Sequence, residues 1–507
     1  MLLLLLAGTG LVGSRACAPC HEALFRSYFE TPMARSSGLA GRDVREGVVK
    51  HVTSSMSYRI DSQEGRPFFR YSSLVDASLS GRQQLLAFIG SGVIGRSFLF
   101  AIDRWWFLAP VSYYAQKGAW DVSPGYEEDR RMLLSRRVTE SCLFCHASGA
   151  RASPGTYNRF PDPPWDEAGV SCERCHGPGE AHVKHGGSIV NPAKLGPAER
   201  DSVCAQCHLT GEESIERPGQ SLAKYTPGKR LSDYADYFVA AGAAMRATSH
   251  VERFSASRCK QASGNRMWCG TCHDPHSVPK ASERSAYFRE KCKGCHMPDP
   301  CRRGADCTGC HMPKSAVTDA AHSVLTDHSI PRRPSVTVPP DVTELVLFGG
   351  GEPSFRALGL AYANLSIRSG DRVDQQRAIR LLEQAEPKDA AVLTSLGHWE
   401  EIHGRLQEAV VLYERALRDD PNRIVAAVNL GSIVAQRGDL DRAIQLWSDA
   451  FERDPATSEA GLNLAIALRR KGDIDRARAV LLRVLRFDPA YGPAHELLKA
   501  DGLTLKP

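Results

Sequence analysis

The chain has 507 residues and a formal net charge of +6 at pH 7, with 24% charged and 42% hydrophobic residues. This length predicts two to four domains with cores of ordinary size. The charge is only mildly basic and no long run of Lys or Arg occurs, so nucleic acid is excluded as an expected partner.

The N-terminal segment, residues 1–16, begins with an apolar Leu-rich stretch followed by small residues. It resembles the apolar part of a secretory signal, although it has no basic residues before the apolar stretch. The apolar stretch is too short to span a bilayer. We therefore predict an exported protein, periplasmic or extracellular, without a transmembrane span.

Cysteine usage is the most informative feature of the chain. Of the 16 cysteines, 14 form seven Cys-x-x-Cys pairs, and His directly follows every pair. The motifs comprise Cys17, Cys20 and His21; Cys142, Cys145 and His146; Cys172, Cys175 and His176; Cys204, Cys207 and His208; Cys269, Cys272 and His273; Cys292, Cys295 and His296; and Cys307, Cys310 and His311.

Cys-x-x-Cys-His is the attachment sequence of c-type haem. The two thiols add to the two haem vinyl groups, and the His becomes the proximal ligand of the iron. The alternative is zinc, for which paired Cys-x-x-Cys is also common, but a zinc site does not require His after the second Cys. The seven motifs therefore predict seven covalent haems. Cys259 and Cys301 remain, either as a disulfide or as two buried free thiols.

Residues 17–328 are predicted to form the haem-binding domain. Within it, residues 52–125 contain no motif and carry β-branched and aromatic runs separated by turns, which favours a small β-rich insertion with hairpins. The aromatic residues there are assigned to core packing or to shielding a haem edge. From 130 to 330, loops rich in Pro and Gly separate short helical pieces, so we expect haems to form much of the core.

Residues 329–353 read as a Pro-rich extended linker, and residues 354–504 are an internal repeat. Pro387, Pro421, Pro455 and Pro489 recur at an interval of 34 residues, as do Gly370, Gly404, Gly438 and Gly472. This period resembles the tetratricopeptide repeat, two antiparallel helices per unit. We expect about four repeats and a capping helix, forming an all-α solenoid that binds a protein or peptide.

The second iron ligand is sought among the histidines outside the motifs. Seven of these lie in the haem region, which matches seven haems with two His ligands each. They are His51, His182, His185, His250, His276, His322 and His328. The position of His185, only three residues after His182, makes it the weakest candidate, and Met33 is a possible substitute ligand.

Two segments carry a family resemblance. Residues 169–182, around Cys172-Glu-Arg-Cys175-His176-Gly-Pro-Gly-Glu-Ala-His182, resemble the haem segment of hydroxylamine oxidoreductase and its multihaem cytochrome relatives. Residues 272–276, Cys-His-Asp-Pro-His, resemble an element found also in pentahaem nitrite reductases. The resemblance implies that His182 and His276 are distal ligands, and the end of the domain supports His328 in the same way. With its repeats, the chain resembles secreted bacterial tetratricopeptide-containing cytochromes.

The chain departs from these families where their catalysis resides. It has no Cys-x-x-Cys-Lys motif, which provides the Lys ligand in pentahaem nitrite reductase, and it has seven rather than eight motifs of the hydroxylamine oxidoreductase type. No residue is therefore assigned a catalytic role. We predict an electron-transfer protein with redox partner proteins. Two alternatives stay open: an oxidoreductase acting on a small nitrogen or sulfur oxyanion, and a self-assembling subunit of a conductive filament.

Overall fold

The computed structural model describes residues 10–130, 134, 136–240, 244–297, 306–332 and 344–501. Two antiparallel sheets come first, followed by a region of short helices and then by an all-helical array. The start of the signal-like segment, Cys301 and residues 333–343 of the predicted linker lie outside the described residues. The two alternatives for Cys259 and Cys301, a disulfide or two free thiols, therefore stay predictions.

The β-rich part begins earlier than the sequence predicts, at residue 37. Its two sheets have the strand orders β1-β6-β7-β8-β9 and β2-β3-β4-β5, and neighbouring strands are antiparallel. The strands are β1 (Ser37–Leu39), β2 (Gly47–His51), β3 (Met56–Gln63), β4 (Arg66–Ser73), β5 (Ser80–Gln84), β6 (Ala87–Ile89), β7 (Gly95–Ile102), β8 (Trp105–Tyr114) and β9 (Ala119–Val122).

The predicted hairpins form because their turn residues adopt the left-handed backbone that a two-residue turn requires. Glu64 and Gly65, between β3 and β4, have φ of 52° and 75°. Alternate residues of β3 and β4 are buried, whereas β8 is buried along most of its length. Aromatic rings from both sheets, including Phe69, Phe100 and Phe107, are fully buried together. These aromatic residues therefore serve as core.

The middle region consists of short elements joined by irregular chain. Its helices are α1 (Glu22–Phe29), α2 (Glu140–His146), α3 (Glu173–His176), α4 (Glu180–His185), α5 (Pro197–His208), α6 (His250–Ala256), α7 (Arg258–Ala262), α8 (Cys269–Cys272), α9 (Arg284–Lys293) and α10 (Cys307–His311). Its strands are β10 (Ala147–Ser148), β11 (Glu167–Ala168), β12 (Glu213–Glu216), β13 (Ala235–Ala240), β14 (Lys314–Ala316) and β15 (Val324–Thr326).

The C-terminal array has the predicted helix pairs. Its helices are α11 (Phe355–Ser369), α12 (Arg372–Glu383), α13 (Ala390–Ile402), α14 (Leu406–Asp419), α15 (Ile424–Gln436), α16 (Leu440–Arg453), α17 (Ser458–Arg470), α18 (Ile474–Phe487) and the terminal α19 (Gly492–Ala500). In three of the four repeats, a Gly-Asp dipeptide between the two helices ends one helix and caps the next. Gly438, for example, has φ of 90°, and the Asp439 side chain accepts from the Arg442 N–H.

One edge of the solenoid packs against the rest of the chain. This edge consists of the loops that join one repeat to the next, where the 34-residue proline recurs, and we call it the docking edge. Phe487 is 1% exposed and its ring centre lies 6.0 Å from that of Phe107 in the β-rich part. The polar contacts include Tyr157 Oη to Asn422 O at 3.1 Å, Arg137 to Asp454 at 2.6 Å, and Arg486 to Asp103 at 2.6 Å.

The second half of the predicted linker contributes to the same attachment. Leu345–Leu347 forms strand β16, which pairs antiparallel with β13. The first solenoid helix then contacts the neighbouring strand β12, since Asn364 donates to Glu213 at 3.0 Å. The solenoid is therefore joined to the middle region by main-chain pairing as well as by side chains.

Candidate haem-binding site

The attachment motifs lie on turns that place their reactive side chains together. Outside the first motif, which follows a 3-10 turn at Ser14–Ala16, each motif overlaps one of the helices α2, α3, α5, α8, α9 and α10. In four motifs the His N–H donates to the carbonyl of the first Cys, one helical turn back. These bonds are His21 to Cys17 at 3.0 Å, His176 to Cys172 at 3.0 Å, His273 to Cys269 at 2.9 Å and His296 to Cys292 at 3.0 Å. The first thiol and the imidazole therefore share one face of the turn.

Three motif histidines face a histidine from outside the motifs. The ring centres are 6.4 Å apart for His21 and His182, 6.0 Å for His176 and His276, and 6.2 Å for His273 and His328. An imidazole nitrogen lies about 2 Å from a bound metal, and the ring centre about 1 Å further, so two axial ligands have ring centres roughly 6 Å apart. Each pair is spaced to hold one metal ion between its rings.

The orientation of several rings is fixed by a backbone carbonyl. Since a carbonyl only accepts, the ring Nδ1 must carry the proton, which leaves the Nε2 lone pair for a metal. The Nδ1 donors are His176 to Val190 O at 2.7 Å, His182 to Gly187 O at 2.6 Å, His311 to Pro331 O at 3.0 Å and His328 to Thr326 O at 3.0 Å.

His208 and His250 form a further contact, with ring centres 5.1 Å apart and nearly perpendicular planes. Burial and the charges of neighbouring imidazoles lower the pKa of His208 to about 4 and that of His250 to about 3. His250 also meets His328 at 5.0 Å. Both rings are therefore neutral at physiological pH, the form that binds a metal.

Three of the predicted distal ligands lie outside the histidine pairs described above. His51 is buried at the β-rich part, with Nδ1 at 2.7 Å from Ser54 Oγ and Nε2 at 3.0 Å from Glu127 O, so both ring nitrogens are engaged. His322 pairs through Nε2 with Asp121 at 2.7 Å. His185 is exposed at the end of α4. Counting histidines could not reveal these contacts, because they depend on tertiary structure.

The remaining motif histidines differ in their surroundings. Burial lowers the pKa of His146, and its Nδ1 is shielded from solvent without a hydrogen-bond partner in the described part of the chain. His296 is exposed.

The thiols of different motifs also approach one another. The contacting pairs are Cys17 with Cys172, Cys145 with Cys207, Cys204 with Cys269, and Cys292 with Cys307. Among the described residues, no group of three or more His, Cys, Asp or Glu side chains is arranged to hold a metal ion by itself. The attachment sites thus adjoin one another along the middle region.

A cavity of about 520 Å³ opens beside two of these thiols, Cys145 and Cys207. Phe144, Leu209 and Tyr237 contribute to its lining. Its size and its mixture of apolar and hydroxyl groups suit a large, flat cofactor. The paired thiols, the facing imidazoles and this cavity together fit covalently attached haem.

The sequence did not indicate a role for two residues of the site, Arg174 and Gln206. Each occupies one of the two positions between the cysteines, Arg174 in the third motif and Gln206 in the fourth. Gln206 Nε2 donates to Arg174 O at 3.0 Å, and Arg174 Nη2 donates to Phe144 O at 3.0 Å. The only signal in the sequence was a long polar side chain placed between two attachment cysteines.

Two family models match the chain. Residues 120–177 match the model "Cytochrome c554 and c-prime", and residues 434–501 match a tetratricopeptide repeat model. Multiheme cytochrome MtrA of Shewanella baltica (strain OS185) is 24% identical over 216 residues, covering 37% of this chain and 63% of that protein. The chain therefore spans less than two thirds of the length of this relative.

Solved structures also resemble part of the chain. A structure of MamA AMB-1 is 26% identical, covers 29% of this chain and 81% of its own, and has a TM-score of 0.25. A tetratricopeptide repeat protein from Parabacteroides merdae ATCC 43184 is 22% identical, covers 29% of this chain and 60% of its own, and has a TM-score of 0.25. Separately, none of the helices in the described ranges is both long and apolar enough to cross a bilayer.

Proposed function

We propose that this chain, a multihaem c-type cytochrome fused to tetratricopeptide repeats, carries electrons through seven covalent haems, most of them with two His ligands. One observation carries the proposal: three motif histidines each face a non-motif histidine at 6.0 to 6.4 Å. An iron with both axial positions filled by imidazole exchanges electrons without admitting a substrate.

The proposed axial pairs are His21 with His182, His176 with His276, and His273 with His328, and we add His208 with His250 as a fourth. In each pair the two ligands come from different segments, so binding of one haem ties two parts of the chain together. For the motifs that end at His146, His296 and His311, the partners drawn from His51, His185 and His322 remain predictions.

When bound, haem supplies reversible one-electron chemistry, and the chain supplies ligands, orientation and local charge. The carbonyls that accept from the Nδ1 of His176 and His182 hold these rings in one tautomer. Such a hydrogen bond also raises the basicity of the ligating nitrogen. The chain thereby contributes to the potential and to the fixed geometry that fast electron exchange needs.

The tetratricopeptide array is a protein-interaction domain, and we propose that it holds a redox partner protein or its peptide near the haems. Because c-type haem is attached outside the cytoplasm, the proposal places the protein in the periplasm or outside the cell. The alternative, assembly with further copies of the chain, predicts large assemblies of the holoprotein in size-exclusion chromatography.

The test begins with the purified holoprotein. Intact-mass measurement and a pyridine haemochrome assay should both give seven haems per chain. The resting ferric protein should show predominantly low-spin EPR signals that nitrite and hydroxylamine do not change. Reduction with dithionite and reoxidation by an added cytochrome acceptor should be reversible.

Two results would contradict the proposal. Steady-state turnover of nitrite, hydroxylamine or a sulfur oxyanion with a reduced dye would favour the oxidoreductase alternative. A haem count well below seven would show that some motifs do not carry haem.

A further inference from the structure

The fourth attachment motif adjoins three other motifs. Its first thiol, Cys204, contacts Cys269 of the fifth motif, and its second, Cys207, contacts Cys145 of the second motif. Between these two thiols, the Gln206 side chain reaches the backbone of the third motif. The fourth motif therefore has three other motifs as neighbours.

Side chains inside the motifs hold this arrangement. Gln206 Nε2 donates to the Arg174 carbonyl of the third motif at 3.0 Å, and the Gln206 carbonyl lies 3.9 Å from Cys145 Sγ of the second. The Arg174 guanidinium then stacks 4.0 Å from the ring centre of Phe144. Cation–aromatic packing of this kind stabilises a partly desolvated guanidinium. The second, third and fourth motifs thus form one packed unit.

A separate set of contacts joins the fourth motif's helix to the fifth motif. Asp201 of α5 accepts from Lys260 Nζ at 2.6 Å, and the same ammonium donates to Met267 O at 2.8 Å. Arg200 of α5 donates to Asn265 O at 2.8 Å. These bonds hold the segment before Cys269 against α5, so the closeness of the two motifs does not depend on the thiol contact alone.

The seventh motif, at the other end of the series, differs from the fourth. Its Cys307 contacts Cys292 of the sixth motif, and Cys310 is exposed. Its helix α10 packs on α9, which carries the start of the sixth motif. By the same criterion, the seventh motif has one neighbouring motif in the described part of the chain.

We infer that the haem attached through Cys204 and Cys207 is a hub of the relay, at which the haems of the second, third and fifth motifs meet. Electrons that enter at any one of these three haems would then have the hub as a common neighbour. The inference rests on the proposed function for its role in electron flow. The arrangement itself is tested by magnetic coupling, which requires no turnover.

The experiment uses the holoprotein with His208→Met. A His/Met-ligated haem has a higher potential than a bis-His haem, so the hub becomes the first haem to be reduced. Low-spin ferrous iron is diamagnetic, so its reduction removes the magnetic broadening that it imposes on its neighbours. When one electron has been added per chain, we expect the ferric EPR signals of the neighbouring haems to become narrower. The integrated intensity of these narrowed signals should correspond to three haems per chain.

The matched control is His311→Met in the seventh motif, for which the narrowed intensity should integrate to one haem. If His208→Met perturbs folding, His250→Met changes the proposed partner ligand of the same iron. If either variant instead loses the hub haem, the fully oxidised protein should already show the narrowed signals of three haems. The reason is that a missing iron cannot broaden the EPR signals of its neighbours. Narrowing of one haem or none in the hub variants would overturn the inference. Catalytic turnover would contradict the proposed function while leaving this readout intact.

Discussion

At the scale of single residues, the sequence identifies candidate haem-binding side chains by a local motif, but it does not identify which of them meet in the fold. Cys-x-x-Cys-His is a local pattern, and its reactive groups share a helical turn wherever it occurs. The partner of His21, by contrast, is His182, which is distant in sequence and arrives only through folding. His51 was included as a predicted ligand by counting alone. In the fold its two ring nitrogens lie at hydrogen-bond distance from Ser54 and Glu127.

Two histidine substitutions test the pairing of His21 with His182. His182 faces His21, whereas His495 lies exposed on α19 of the solenoid. His182→Ala should convert one low-spin ferric haem into a high-spin one, because the iron loses an axial ligand. His495→Ala is the matched control and should leave the EPR spectrum unchanged. Equal spectra for the two variants would refute the proposed pairing of His21 with His182.

At the scale of secondary structure, the predictions succeed where a local signal decides the outcome. The Gly-Asp dipeptides end one helix and start the next, and the hairpin turns fall at residues that accept a left-handed backbone. Residues 345–347 were predicted as linker because they lie between prolines and the repeats. They form β16 because β13 offers an edge that a short segment can pair with. No local pattern reveals such an edge.

The docking edge gives a prediction at this scale. Asp454 is nearly inaccessible to solvent, pairs with Arg137 at 2.6 Å and accepts from Ala456 N at 3.2 Å. Asp454→Ala leaves the Arg137 charge without its partner, so thermal or urea unfolding should show a loss of roughly 2 kcal/mol. Asp441 makes an exposed ion pair with Lys471, and Asp441→Ala should cost less than about 0.5 kcal/mol. If Asp454→Ala lowers the free energy of unfolding no more than Asp441→Ala does, the docking edge adds little stability.

At the scale of the whole molecule, the hydrophobic clusters divide the chain into parts that depend on haem to different degrees. The cluster between the two sheets and the main cluster of the solenoid contain no motif residue. Leu143 of the second motif instead joins a cluster with Leu99 and Trp106, and Phe144 and Ala205 belong to a cluster of the middle region. Most of the solenoid core was predictable from its 34-residue period. The middle region was not, because its short elements are fixed by contacts among the motifs.

This division predicts the behaviour of the chain made without haem. Hydrogen–deuterium exchange should show protection retained in β3, β4, β7 and β8 and in the solenoid helices α13 to α18. Protection should be lost around α2, α5 and α8, where the haem ring would complete the core. The holoprotein serves as the reference. Uniform loss of protection would mean that the whole chain folds only around its cofactors.

The docking edge also has a kinetic consequence. A binding domain on a free tether presents its partner over a range of separations, and electron tunnelling slows exponentially as separation grows. Here β16, Phe487 and the Arg137–Asp454 pair fix the solenoid against the haem-bearing region. The redox partner proposed for the solenoid would therefore meet the proposed relay at one separation, and its electron exchange should follow a single exponential rather than a spread of rates.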